Sequence, residues 1–423
     1  MREEENAVVV KGGTLIDGTG AEPVENAVVV ILGSKITAVG EAGEVEVPDE
    51  ARVVDATGKT VMPGLIDSHL HLMGMKTDNF IAESLIVPDG VKLLRASKDV
   101  GLLLDAGFTT VKDCGGTNAL HLKRAIAERT LRGPRILAAG YALSQTFGHG
   151  DTHFLPIEMS DVRTAHGRGM GLICDGVEEC TKAARYALRE GADFIKVCTT
   201  GGVMSERDSP ENTQFNLDEI RAIVQVAHHA GTFVTAHCQG TEGMRNSIDG
   251  GIKTIDHAFY PDDYCIEMGK KRGVVFVSTL SIMKRINEGG VEAGYPPWGV
   301  RKSRAAWDKV VKNIARLREA GATVAAATDF CGSKLMRQGT NALELELLVK
   351  HCGFTPMDAI VSATLNGARA CGLEARIGTI EKGKLADVLV VDGDPLRDVT
   401  LLQNPDRIEM VMKEGVIEVE RSR

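Results

Sequence analysis

The sequence predicts an α/β fold, and three observations carry the prediction. Short β-branched runs alternate with helical stripes through the middle of the chain. Glycines mark the joints between them, and potential ligands sit at the ends of the apolar runs. Eight strand candidates lie around Leu65–His71, Thr109–Asp113, Arg135–Ala139, Phe194–Cys198, Phe233–His237, Thr254–His257, Val274–Thr279 and Thr323–Asp329. Eight βα units in succession fit a (β/α)8 barrel of the TIM type, with insertions.

The flanks read differently. Up to about residue 60 the chain offers short strands, Ala7–Val10, Ala27–Ile31 and Ile36–Val39, punctuated by Gly12-Gly13, Gly33-Ser34 and Gly58. After Ala375 the β-texture returns in Gly378–Ile380, Ala386–Val391, Ile408–Met412 and Val416–Val419. We expect these two flanks, 1–62 and 376–423, to pair as one small β-sandwich domain, with 63–375 inserted as the barrel. Helices between the strands carry their own signals. Leu217, Ile220, Ile223, Val224 and Ala227 form a helical stripe, opened by Asn216 with Glu219 three residues on and closed by Gly231. Thr355-Pro356 followed by Asp358 is a second N-terminal signature.

Composition narrows the function classes. With 423 residues and 43% hydrophobic content the chain can bury a large core. Its net charge of -9 is spread over mixed signs without a basic block, which argues against nucleic acid as a partner. No apolar run approaches the ~18 residues of a membrane span. The stretch Met1–Asn6 is acidic and does not read as a signal peptide. Nine cysteines without C-x-x-C spacing point to reduced thiols and a cytoplasmic location.

The chemistry gathers at the strand ends. His69 and His71 are two apart on one strand, so both rings point to the same side and can share a cation. In a (β/α)8 barrel the active residues sit at the carboxyl ends of the strands. Those positions hold His69 and His71, Lys196 in Asp193–Cys198, His237, His257 and Asp329. Taken singly, each histidine is an ordinary core or loop residue and Asp329 a helix cap. Taken together, ligands at five of eight strand ends form a metal site. Lys196 is the odd member, because a lone buried ammonium is costly. Cys114 and Cys198 lie near strand ends without an activating histidine in sequence, so a thiol nucleophile is not expected.

The segment Pro63-Gly-Leu-Ile-Asp-Ser-His-Leu-His71, together with Lys196, His237, His257 and Thr328-Asp329, resembles the binuclear metal site of the amidohydrolase superfamily. The resemblance spans essentially the whole chain. Gly13–Gly20 and Gly378–Val390 are similar to the family's flanking β-segments. Gly191–Lys196, Thr200–Ser205 and Ala236–Gly240 resemble the branch of prolidase-like Xaa-Pro and Xaa-Arg dipeptidases and metallo-carboxypeptidases. The resemblance implies two divalent metal ions, with zinc expected, and an N-carboxylated Lys196 bridging them, since a carbamate offers two oxygens where an ammonium offers none. His69, His71 and Asp329 would hold the more buried ion, and His237 and His257 the more exposed one. A metal-bridged hydroxide would attack the amide carbonyl, with Asp329 as general base and then acid. His149, after the third strand, is similar to the family's loop histidine that contacts the carbonyl or the tetrahedral intermediate, with His153 a weaker candidate.

The expected reaction is hydrolysis of a dipeptide or N-acyl amino acid. One departure opens another reading. Where dipeptidase-like members commonly carry a tyrosine two residues after the strand-5 histidine, this chain has Gln239, which admits a non-peptide amide, carbamate or lactone. Arg207 is a candidate partner for a substrate anion. The insertion Gly289–Trp298, with Tyr295 and Trp298, is a candidate lid. Deamination is disfavoured because Gly240 stands where deaminases of the fold carry a glutamate. A non-catalytic scaffold and a metal-free enzyme using Lys196 as a Schiff base are rivals that the complete ligand set argues against. The resemblance also implies a homo-oligomer.

Overall fold

The computed structural model describes residues 7–164 and 171–421. The acidic stretch Met1–Asn6 lies outside the described residues. The expected strands are present as Leu65–Leu70, Phe108–Asp113, Arg135–Ala138, Ile195–Cys198, Val234–Cys238, Thr254–His257, Val275–Ser278 and Thr323–Ala326. Nearly every residue in them is buried, the pattern of strands covered on both faces.

All of these strands pair in parallel. The first three form one ladder. The chain then resumes as Ala142–Ser144, which pairs with Ile195–Cys198, and the remaining strands follow in chain order within a seven-stranded sheet of the described residues. The last strand returns to the first through its carboxyl end: Thr328 N and Asp329 N donate to His69 O at 3.3 and 2.7 Å, and His71 N donates to Phe330 O at 2.8 Å. Helices follow the strands, as in a TIM-type barrel. The helix Leu217–His229 starts on a complete capping box between Asn216 and Glu219. The helix Pro356–Ser362 starts on one between Thr355 and Asp358. Both boxes satisfy backbone donors that a helix start leaves open.

The terminal segments meet in one eight-stranded sheet of the described residues, in which Thr60–Pro63 runs antiparallel to Val388–Val391. Val10, Val29, Ile31, Val61, Val388, Val390 and Met412 share a core on one side of it. Gly378–Ile380 is not a strand. It is tied to the N-terminal segment by a single bond from Ile380 N to Asp17 O. No helix of the described residues is long and apolar enough to cross a membrane.

Candidate metal centre

The six expected ligands come together. His69 Nε2 and His71 Nε2 lie 3.4 and 3.1 Å from Asp329 Oδ1, and the three residues bring their ligand atoms within 4.8 Å of one another. The His69 and His257 ring centres are 4.9 Å apart, and those of His257 and His237 4.6 Å. Lys196 reaches the same cluster through Asp256, which lies 2.5 Å from Nζ and 2.8 Å from His69 Nδ1.

Backbone geometry helps to aim these groups. His257 and Asp329 both have left-handed φ, +71° and +59°. Such conformations cost free energy in non-glycine residues and persist where the surroundings fix them. Asp67 supplies some of that fixing. Its Oδ1 accepts from His69 N and Thr328 N, and its Oδ2 from Thr328 Oγ1 and Asn341 Nδ2. One buried carboxylate thus ties the end of the first strand to the end of the last. Asp113 braces the turn after His71, accepting from Leu72 N and Gly115 N.

Three of the four histidines spend one ring nitrogen on a hydrogen bond to the protein. His71 Nδ1 pairs with Gly115 O, His257 Nδ1 with Thr279 Oγ1, and His237 Nε2 with Gly201 O. The opposite nitrogen is left for a ligand, the arrangement that orients imidazoles around a metal. Burial pushes the His237 and His257 imidazoles well below their ordinary value, into the neutral form that coordinates. Burial pushes Asp329 up, but His69 and His71 outweigh it and hold the carboxyl well below the usual range. His69 Nδ1 is buried without a hydrogen bond of good geometry, despite its closeness to Asp256. Two neutral imidazoles, His237 and His257, and an ionised Asp329 faced by the Nε2 atoms of His69 and His71 are a donor set that fits divalent cations. His69, His71, His237, His257 and Asp329 would hold them, with Lys196 beside the cluster.

Other expected site residues fall on both sides. His149 joins the cluster, its ring stacked on His237 with centres 3.9 Å apart and planes 12° apart. Burial lowers its pKa to about 4. Gln239 is buried just after Val234–Cys238, and its Oε1 has no hydrogen-bond partner among the described residues. Arg207 does not join. Its side chain is 63% exposed, with Nε 3.6 Å from Glu206 Oε2. His153 turns its ring to Phe147 and to Gly148 O. Of the lid candidates, Tyr295 is fully buried with its hydroxyl on Asp78, while Trp298 Nε1 donates to Met204 O.

Asp256 escaped the sequence reading. Strand alternation puts it on the face opposite its neighbour His257. The inward face is shared with Thr254, whose Oγ1 lies 3.2 Å from Asp256 Oδ1, and Lys112 Nζ donates to Thr254 Oγ1 from beneath. A polar residue at every second place of a buried strand, Thr254 and then Asp256, was the available signal. His257 reaches the same site because its positive φ breaks the alternation.

Candidate ligands converging at the carboxyl ends of parallel strands define an α/β protein with a candidate metal site. The Amidohydrolase family model matches residues 60–417, and the chain belongs to that family. It is 33% identical to ochratoxinase of Aspergillus niger over 98% of this chain and 87% of that protein. The crystal structure of that ochratoxinase superposes with a TM-score of 0.88 at 31% identity, covering 99% of this chain and 96% of the other. A prolidase complexed with N-methylphosphonate-L-proline matches at TM-score 0.89 and 31% identity, over 99% of this chain and 100% of that one. A Xaa-Pro dipeptidase with methionine in its active site matches at 0.87 and 30%, over 97% and 99%.

Proposed function

We propose that this chain is a binuclear, zinc-dependent amidohydrolase that cleaves the amide bond of a dipeptide or an N-acyl amino acid. The observation that carries the reading is the convergence of His69, His71 and Asp329 on one point, with His257, His237 and Lys196 beside it. The fold in this reading is a closed (β/α)8 barrel, 63–375, carried on a small domain made of 1–62 and 376–423. His69, His71 and Asp329 would hold one ion and His237 and His257 the other, with Lys196, if N-carboxylated, offering its two oxygens to both. When bound, the ions supply Lewis acidity, which lowers the pKa of the attacking water and polarises the scissile carbonyl. Asp329, kept ionised by its histidine neighbours, takes the proton of that water and returns it to the leaving amine. His149 and Gln239 contact the substrate. The enzyme works in the cytoplasm as a homo-oligomer.

Gln239 favours a second reading. It stands where dipeptidase-like members commonly carry the tyrosine that helps hold a peptide substrate, and without that contact a non-peptide amide, carbamate or lactone becomes the alternative substrate. One experiment tests both: metal content per chain, with hydrolysis of dipeptides, N-acyl amino acids, carbamates and lactones before and after chelation. About two ions per chain and chelator-sensitive amide cleavage are expected. Two ions with carbamate or lactone cleavage alone would select the second reading, and a folded protein that takes up no metal would refute both.

A further inference from the structure

The loop after Ile195–Cys198 carries a buried polar group that the proposed reaction does not use. Asp208 is 4% exposed. Around its carboxylate stand Gly202 N at 3.3 Å from Oδ1, Gln214 Nε2 at 3.0 Å from Oδ2, and Lys302 Nζ at 3.6 Å from Oδ1. The Ser205 hydroxyl donates to the same Oδ1. On its other side, Ser205 Oγ lies 2.9 Å from His149 Nδ1.

A carboxylate only accepts, and a serine hydroxyl has one hydrogen to give. That hydrogen goes to Asp208. Ser205 Oγ therefore meets His149 Nδ1 as an acceptor, and Nδ1 must carry the proton. In the neutral ring Nε2 then holds a lone pair, and it has no hydrogen-bond partner among the described residues. We propose that Ser205 and Asp208 are positioning residues that fix the tautomer of His149, leaving Nε2 to accept a hydrogen bond from an N–H or O–H of the substrate.

The surroundings hold the group in register. Lys302 Nζ, on the helix Pro297–Glu319, donates to the carbonyls of Gly202, Ser205 and Asp208. Trp298, one turn earlier, holds Met204 O. Gln214 Oε1 accepts from His149 N. The ring is also confined by Gly202, where a Cβ would stand 2.4 Å from His149 Nδ1. In this tautomer His149 gives its hydrogen to the protein, so it can donate to a developing oxyanion only after gaining a second proton.

The test reads the tautomer directly, by two-bond proton–nitrogen correlation on full-length protein labelled with 15N-histidine. His149→Gln identifies the signal. The expected wild-type pattern is a protonated Nδ1 and a bare Nε2. Ser205→Ala should move the ring toward the other tautomer, and Ser205→Thr, which keeps the hydroxyl, should restore it. On the hydrolase reading, Ser205→Ala should also lower kcat by about 10–100-fold with KM little changed, and Ser205→Thr should recover most of it. A wild-type His149 protonated on Nε2 would overturn the proposal, as would an unchanged tautomer in Ser205→Ala. The spectra need no substrate, so failure of the hydrolase reading stays distinguishable from failure of this one.

Discussion

Replacing Asp256 by asparagine keeps the shape of the side chain and removes its charge. Asp256 is fully buried, 2.5 Å from the Lys196 ammonium, 2.8 Å from His69 Nδ1, and linked through Thr254 to Lys112. Burial pushes its carboxyl up, but Lys196, Lys112 and His69 outweigh this and hold it well below the usual range. At 2.5 Å and an effective dielectric of about 20, the attraction to Lys196 is roughly 6–7 kcal/mol. Desolvation of the two ions consumes several kcal/mol of this. Removing one partner leaves the other buried and uncompensated, so Asp256→Asn should destabilise the metal-free protein by about 3–5 kcal/mol. Adding Lys196→Met should return part of the loss, because no lone ammonium remains. Urea unfolding of the four proteins, with refolding verified, closes the double-mutant cycle. A loss below about 1 kcal/mol in Asp256→Asn, or no recovery in the double variant, would refute the view of Asp256 as the counter-charge of Lys196.

Further outcomes follow from neighbouring groups. Burial pushes Glu344 up to about 7, although Ser278, Leu280 and Ser281 all donate to it. A folded pKa above the unfolded one means that the folded state holds the extra proton between about pH 4.5 and 7. Stability contributed by this residue is therefore greatest below that window and declines across it, by about 3 kcal/mol, and the decline should disappear in Glu344→Gln. Stability curves of both proteins from pH 4 to 8 measure this. Gly202→Ala sets a Cβ 2.3 Å from His149 Cε1 and 2.9 Å from His237 Nε2, so it should cost about 1–3 kcal/mol of strain and lower turnover at least tenfold, read by kinetics and metal content. Tyr295→Phe removes one of three donors to Asp78 Oδ1 and should cost about 1 kcal/mol in unfolding experiments. Chelation should abolish activity and lower the melting temperature, with added zinc raising it in proportion to the logarithm of zinc concentration.

The strands and their polar ends were legible because both signals are local. A short buried run ending in histidine or aspartate reads the same in the sequence as in the fold, as with Phe233–His237, observed as Val234–Cys238. The capping boxes at Asn216 and Thr355 were legible for the same reason, since all their atoms lie within four residues. What stayed hidden is held together across the chain. Asp67 matters because Thr328 and Asn341 reach it, and Ser205 matters because Lys302 holds its loop. Arg207 was singled out for its charge, but placement follows from the loop, which spends Ser205 and Asp208 inward and leaves Arg207 to solvent. His257 defeats a strict reading by alternation, because a left-handed residue turns the strand at the point where chemistry needs it.

The sheet built from both ends of the chain has a consequence for biosynthesis. Thr60–Pro63 finds its antiparallel partner in Val388–Val391, with Pro63 opposite Val388. A ribosome therefore releases the first strand of that pairing long before the second exists. Closing a loop of some three hundred residues costs about 5 kcal/mol in chain entropy if the intervening segment is still disordered, and far less once the barrel has folded and brought its ends together. The favoured order is strand, barrel, then sheet. Until Val388–Val391 emerges, Thr60–Pro63 has only Val8–Leu15 beside it and presents its other edge unpaired, the kind of surface on which nascent chains associate or chaperones act.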